Sequence, residues 1–544
     1  AGVDVYRYQL NGSNRPRLHG RMRFNSYEDF LEGRPRLLEF LFPGTGGMRG
    51  FRQTVPGFFI QDDFQLLPNL TLNLGLRFEY STVPTEVAGR ISNLRDVLRD
   101  SELTVGDPFF ELPKNNFGPR FGFAWDPFST GKTSLRGGFG LFHQQMTYVN
   151  WRLPALQNPP FTIRTQTTFP TELVDGVSKP AVNFPPVIDF DAPRPPPTPA
   201  AQQFNIKTPY MLQYNLTLQR ELWSDMMFAL SYVGSHGVHL GRLQTANINE
   251  FTVLPDGTKF WEPNAPKLNP AFGAIDLRQF DTNSSYNSMQ LRVTKRFNEG
   301  LQFQTSYTWS NAIDESIGQE GFSGGGWDAF SMDPFDRSRD RGPSSWDLRH
   351  NFVANFTYDL PFAAGLGGAA GKILGGWQTS GILNMNTGNP SVVSIRFNHS
   401  RNGVLPSFNP SERPNLVPGS DNNPVLGGPD RYLDASAFEV ADSDPSTPGI
   451  QGGILGNLGR NTITQPGLVT FDFSLIKETY VSEELSVQFR AEFFNLFNRA
   501  NFAAPNGTVF SSSRRLDTPS GSFGRITRTR SSSRQIQFAL KLLF

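Results

Sequence analysis

The chain has no cysteine among its 544 residues, so disulfides, thiol nucleophiles and cysteine-based zinc sites are all excluded. It also lacks any long apolar run. The longest are short, as in Leu38–Phe42, against the roughly 18 to 20 consecutive apolar residues that a membrane-crossing helix needs. An excess of one charge is missing too: 50 Lys and Arg face 49 Asp and Glu, spread along the chain, which leaves no broad electrostatic footprint for nucleic acid. The opening AGVDVYRYQL has no charged region followed by an apolar one, so a secretion signal is expected to have been removed or to lie upstream.

What is present is Gly (52), Pro (42) and Phe (49), in a composition only 38% hydrophobic, which is unusual for a soluble domain. The informative signal is period two. Leu70–Tyr80 reads LTLNLGLRFEY, with Leu70, Leu72, Leu74, Leu76, Phe78 and Tyr80 on one face and Thr71, Asn73, Gly75, Arg77 and Glu79 on the other, the pattern of a half-buried β-strand. The split recurs at Tyr214–Arg220, Met289–Lys295, Leu301–Ser310 and Leu485–Glu492. A soluble sandwich alternates as well, so length and spacing must decide.

Segments of about ten residues suit a tilted bilayer crossing, whereas sandwich strands run nearer five or six. The pattern predicts strands at 57–65, 70–80, 117–126, 133–143, 210–220, 226–233, 287–297, 301–310, 350–359, 377–387, 468–478, 485–497 and 533–544, with further candidates at Asp4–Leu10 and Leu18–Phe24. Short gaps at 67–69, 127–132, 221–225, 298–300 and 480–484 alternate with long ones such as 81–116 and 144–209; Leu360–Gly376 is a longer, Gly-rich exception. Tight periplasmic turns and extended extracellular loops give outer-membrane barrels this rhythm. The expected fold is therefore an all-β, transmembrane, antiparallel up-and-down barrel over 51–544 with about 13 strands. Large extracellular loops are expected near 81–116, 144–209, 238–286, 311–349, 388–467 and 498–532, and 1–50 reads as a less defined barrel or loop segment.

Aromatic side chains fall where two headgroup-level girdles would lie: Tyr80, Tyr307 and Trp309 at outer strand ends, Trp125, Trp377 and Phe544 at inner ones. The last strand, QIQFALKLLF, sets Ile536, Phe538, Leu540, Leu542 and the terminal Phe544 on one face. An alternating strand ending on Phe resembles the signal read by the barrel-assembly machinery.

Several segments resemble the TonB-dependent receptors, and within them the Oar-like branch. They are FFIQDDFQLLPNLTLNLGLRFEY (Phe58–Tyr80), NNFGPRFGFAWDP (Asn115–Pro127), YNSMQLRVTKRFNEGLQFQTSYTWSNAID (Tyr286–Asp314), DRGPSSWDLRHNFVANFTYDLPF (Asp340–Phe362) and FRAEFFNLFNRANF (Phe489–Phe502). The resemblance implies a plug domain inside a barrel of about 22 strands, preceded by a carboxypeptidase-regulatory-like domain and a TonB-contacting box. None of these is read within residues 1–544. Because an open sheet edge cannot face lipid, the expectation is that this is the C-terminal part of a longer polypeptide or that a partner chain closes the barrel. The implied partners are outer-membrane lipid, the TonB system through the missing N-terminal region, the assembly machinery and an unidentified transported ligand, with no nucleic acid.

Motifs for chemistry are weak. Gly321–Gly325 (GFSGG) matches a nucleophile elbow, but sits in a Gly-rich loop without the strand and helix that motif requires. His236 and His239 form an H-x-x-H pair just past a predicted strand, lacking a third ligand. Gly44–Gly50 lacks a phosphate-loop lysine. The run Asp333–Arg349 interleaves arginines with aspartates, which favours internal pairing over cation binding. Pro185–Pro199 reads as a stiff extended loop. No catalytic residue, cofactor or metal is expected. Arg77, Glu79, Gln302, Gln304, Arg490 and Glu492 are candidates for lining the lumen. Energy-coupled transport is the leading expectation; the alternative is a structural or interaction barrel that anchors surface loops, notably 387–467.

Overall fold

The computed structural model describes residues 1–13, 20–174, 177–181, 184–186, 194–223, 225–316, 331–362, 367–404, 412–441, 452–511 and 518–544. One sheet dominates it. Of 17 strands in that sheet, three are short rim segments (Thr85–Glu86, Ala200–Gln202 and Gly342–Pro343), which leaves 14 long ones. These are β1 (Gly2–Gly12), β2 (Arg49–Leu67), β3 (Leu70–Glu79), β4 (Phe117–Trp125), β5 (Thr133–His143), β6 (Tyr210–Trp223) and β7 (Met226–Thr245). They continue as β8 (Asp276–Asn298), β9 (Leu301–Asp314), β10 (His350–Asp359), β11 (Trp377–Asn386), β12 (Leu468–Tyr480), β13 (Ser486–Phe494) and β14 (Gln535–Leu543). Each pairs antiparallel with the next. No pairing joins β1 to β14 among the described residues.

Register carries the sequence pattern across the whole wall. One row of directly opposed residues runs Leu70, Trp125, Leu135, Leu218, Leu230, Leu291, Tyr307, Phe352, Met385, Val469. The adjacent row, on the other face, runs Thr71, Ala124, Arg136, Thr217, Ser231, Gln290, Thr308, Asn351, Asn386. A slip of one residue at any pairing would exchange the faces downstream of it. The apolar row begins at the short-turn end of β3 and finishes at the long-loop end of β12, so the strands are strongly staggered, as sheet curvature requires.

All thirteen segments read from alternation are strands of this wall, and Asp4–Leu10 adds the fourteenth as part of β1. The segment at 18–24 does not join it. Arg21–Arg23 instead pairs with Leu37–Leu41 in a separate three-stranded sheet completed by Arg164–Thr168. β2, β7 and β8 run far past their expected ends, so the expected 238–286 loop shrinks to 246–275. Their extensions stand above the apolar band and pack inward against the loops, and polar residues such as Arg242, Gln244 and Arg278 break the two-residue pattern there.

Turns on one rim are tight. Glu299 and Gly300, both with positive φ (52° and 78°), reverse β8 into β9 in two residues. The Leu360–Gly376 connection holds a short helix (Gly368–Leu374) whose Ile373 carbonyl accepts from Trp377 Nε1 at 3.2 Å. On the other rim the long loops form a cap with buried cores of its own. Trp151, in the helix Tyr148–Gln157, meets Tyr148 edge-on at 5.1 Å and Phe51 at 5.3 Å, and is fully buried. A second core joins Val393 and Ile395 to Leu433, Phe438, Val509 and Phe523.

Candidate functional site

The candidate lumen residues lie on the polar face in three separate patches. Arg77 bridges Asp4 of β1 at 3.2 Å and Glu79 at 2.8 Å, and Glu79 also accepts from Gln145 at 3.2 Å. Gln302 and Gln304 stand opposite Thr357 and Asn355 of β10. Arg490 donates to Gln488 at 2.6 Å, and Glu492 stands between Ser474 and Gln537. The register therefore puts all six on one face and does not gather them into one site. Two clefts open at the short-turn rim. One, of about 660 Å³, is lined by Asp359, Lys372, Trp377, Gln378 and Glu478; the other, of about 370 Å³, by Lys132, Arg136, Arg220, Glu221 and Arg296.

On the opposite face, Ile536, Phe538, Leu540 and Leu542 align with Phe493, Ala491, Phe489 and Val487. All four are exposed, as is Phe544, and Phe538 stacks on Phe489 at 6.2 Å. The aromatic girdles are visible in the same register. Tyr307 stacks on His350 and bonds its Nδ1 at 2.8 Å toward the long-loop rim, and Trp125 and Trp377 lie at the short-turn ends.

The cap is held by charge as well as by apolar cores. Arg242 grips Asp281 through two contacts at 2.8 and 3.0 Å. Lys259 meets Asp333 at 2.6 Å, Arg413 meets Asp340 at 3.2 Å, and Arg460 pairs with Asp314. The interleaved run Asp333–Arg349 is thus consumed by pairing, some of it with other loops. Arg49, buried at the start of β2, donates to the Ala155 and Leu156 carbonyls at the end of the Tyr148–Gln157 helix and to Thr162 Oγ1; burial pushes its guanidinium down to about 10. Glu412 is fully buried and accepts from His399 N (2.9 Å), Ser400 N (3.1 Å) and Ser400 Oγ (2.7 Å), and its desolvated carboxyl is pushed up to about 7.

The other motifs fare as follows. GFSGG (321–325) lies outside the described residues, as does 187–193 of the Pro-rich segment. His236 and His239 both lie within β7 rather than beyond it, because that strand continues to Thr245. His236 aligns with Leu212, while His239, at φ 54°, sits in an irregular stretch near Tyr210. Gly44–Met48 is a loop, but Arg49 and Gly50 open β2. No group of three or more His, Asp or Glu is placed to hold a metal among the described residues. The buried partners of Glu412 and Arg413 escape sequence reading, since they come from 12 and 73 residues away.

Residues 1–537 match the family described as outer membrane beta barrel domain. The chain belongs to that family. It is an outer-membrane β-barrel protein, of a family of membrane barrels and not of enzymes. In barrels of this kind an apolar face meets lipid and a polar face lines the lumen, and the short turns are periplasmic and the long loops extracellular. Solved structures similar to the barrel include the outer membrane transporter YddB from Escherichia coli (9% identity, TM-score 0.48, covering 99% of this chain and 50% of that one). Others are the siderophore receptor PiuA from Acinetobacter baumannii (9%, 0.41, 92% and 45%) and the pyoverdine outer membrane receptor FpvA from Pseudomonas aeruginosa PAO1 (10%, 0.40, 100% and 52%). The chain spans about half the length of these solved chains. No curated protein matches it.

Proposed function

We propose that this barrel wall belongs to a transporter of the TonB-dependent type, Oar-like in its motifs, in which a plug and a contact with TonB govern the passage of a bulky ligand. The observation that supports the reading is the width of the wall. Fourteen long strands at ~4.8 Å apart span an arc of roughly 65 Å, and most of them turn a polar face inward. Eight-stranded barrels fill their interiors with side chains, whereas barrels of about 16 strands or more leave an aqueous lumen or hold a plug. A lumen bounded by this wall is too wide for its own side chains to fill. In this reading Arg77, Glu79, Gln302, Gln304, Arg490 and Glu492 are lumen contacts for plug or ligand, and further strands complete the wall, because lipid does not tolerate an open edge.

The test is the intact mass of the protein extracted from outer membranes, with N-terminal sequencing. A mass well above the 60.7 kDa of this sequence, with a plug-like segment ahead of β1, supports the transporter. A native mass equal to 60.7 kDa sinks it. The interlocked cap favours a second reading, a barrel that presents extracellular loops to other surface components. Site-specific cross-linking to TonB in intact cells separates the two, since an anchor needs no such contact.

A further inference from the structure

The lipid face carries one side chain that does not belong in lipid. In β2, Phe58, Ile60, Asp62 and Phe64 stand opposite Phe78, Leu76, Leu74 and Leu72 of β3, so Asp62 points outward within a column of large apolar residues. Its neighbour Asp63 points into the lumen, where Asn73 donates to it at 2.6 Å. Asp62 is exposed. It lies opposite Leu74, four residues from the inner end of β3 and six from Tyr80, which places it roughly 10 Å above the inner end of a strand tilted by about 45°. Among the described residues it is the one carboxylate within the outward-facing apolar band; the cations on that face lie outside the band, Arg220, Lys295 and Lys477 at the short-turn strand ends and Arg7 and Arg52 toward the long-loop rim, where they reach headgroups. A carboxylate inside the hydrocarbon band is costly, and ionisable groups at membrane depth are as a rule paired or turned to protein or water.

The neighbouring edge gives Asp62 somewhere to find a partner. β1 pairs with β2 only from Gly12 opposite Arg49 to Gly2 opposite Phe59. On that side, Ile60–Leu67 has no strand among the described residues, and lipid does not tolerate such an edge.

We propose, resting on the reading that further strands complete the wall, that Asp62 is ion-paired rather than alone at the lipid face: a β-strand laid antiparallel on the Ile60–Leu67 edge, in line with β1, carries a Lys or Arg on its outward face against the Asp62 carboxylate. The pair fixes register at this edge. A cation one residue out of step would point into the lumen and leave Asp62 alone in the lipid.

The experiment uses the full-length protein in its own outer membrane. The photo-crosslinking residue benzoylphenylalanine replaces Asp62 in one variant and Ile60, on the same face, in another, and the irradiated adducts are mapped by mass spectrometry. The expected adduct at both positions is a peptide from an alternating strand outside residues 1–544, bearing Lys or Arg within two positions of the cross-link. Adducts on lipid alone, on a second copy of residues 1–544, or on a strand without a cation overturn the proposal. Alongside, Asp62→Leu is expected to lower the yield of heat-modifiable folded barrel, and Asp62→Leu combined with replacement of the mapped cation by Leu to restore it. If Asp62→Leu alone folds as well as the parent or better, Asp62 has no such partner and the inference fails.

Discussion

The buried carboxyl of Glu412 makes the cap sensitive to pH in a definite direction. Its acceptors are filled by the His399 and Ser400 amides and the Ser400 hydroxyl, none of them a cation, while the neighbouring Arg413 guanidinium is turned to Asp340. Burial therefore wins, and the carboxyl is held near 7 against an ordinary 4.5. A raised folded-state value means that the closed cap holds the proton more tightly than the opened one. The stabilisation is full below about pH 4.5 and is lost as pH rises to about 7. A shift of about 2.5 units corresponds to about 3 kcal/mol, or roughly a 300-fold change in the opening equilibrium. Hydrogen exchange at His399 and Ser400, corrected for the intrinsic pH dependence of exchange, reads this directly. Protection is expected to fall steeply from pH 5 to pH 7 and to level off above. Glu412→Gln keeps an acceptor oxygen but cannot ionise, and is expected to flatten the profile near its acid value. A flat profile in the parent protein, or an unchanged slope in Glu412→Gln, would refute the reasoning.

Three further outcomes are expected. Phe538→Arg, on the lipid face of β14, should cost about 2–4 kcal/mol in refolding into vesicles, while Gln537→Arg one residue away, on the lumen face, should cost little. Gly300→Val forces a β-branched residue to φ 78° with the Asp359 carbonyl 3.1 Å from the new Cβ, and should lower barrel stability by about 1–3 kcal/mol in a urea titration in micelles. Arg413→Met leaves Asp340 buried with only Ser331 Oγ and the Met332 amide; a loss of about 3 kcal/mol should appear as faster proteolysis of the 387–467 loop on intact cells, with barrel insertion unchanged.

The wall was legible in the sequence because a membrane strand must satisfy two solvents at once, and period two records that demand residue by residue. Leu70–Tyr80 needed no tertiary information to be placed. β7 and β8 were cut short for the same reason. Above the lipid their faces meet other loops instead of solvent and hydrocarbon, so Arg242 and Gln244 turn inward and the alternation stops carrying meaning. The cap was invisible. Its contacts, such as Asn249 Nδ2 to the Arg401 carbonyl at 2.8 Å and Lys267 Nζ to the Gly403 carbonyl at 3.0 Å, cross more than a hundred residues and leave no local pattern. The lumen candidates were found as a face but not as a site, since alternation reports side and says nothing of which strands a ligand would touch. Asp62 lay within reach of the same pattern, because Phe58, Ile60 and Phe64 share its parity.

The core that joins Val393 and Ile395 to Val509, Phe510 and Phe523 also makes two distant loops depend on one another. Ser394 lies alongside Thr508 in a short parallel pairing, and that partner sits in the loop between the final two strands. The loop after β11 can therefore cover its apolar residues only when the loop between β13 and β14 stands beside it. Placement of the β13–β14 hairpin and burial of that surface are thus coupled, so a barrel without that hairpin would carry a sticky, protease-sensitive surface that a finished one does not.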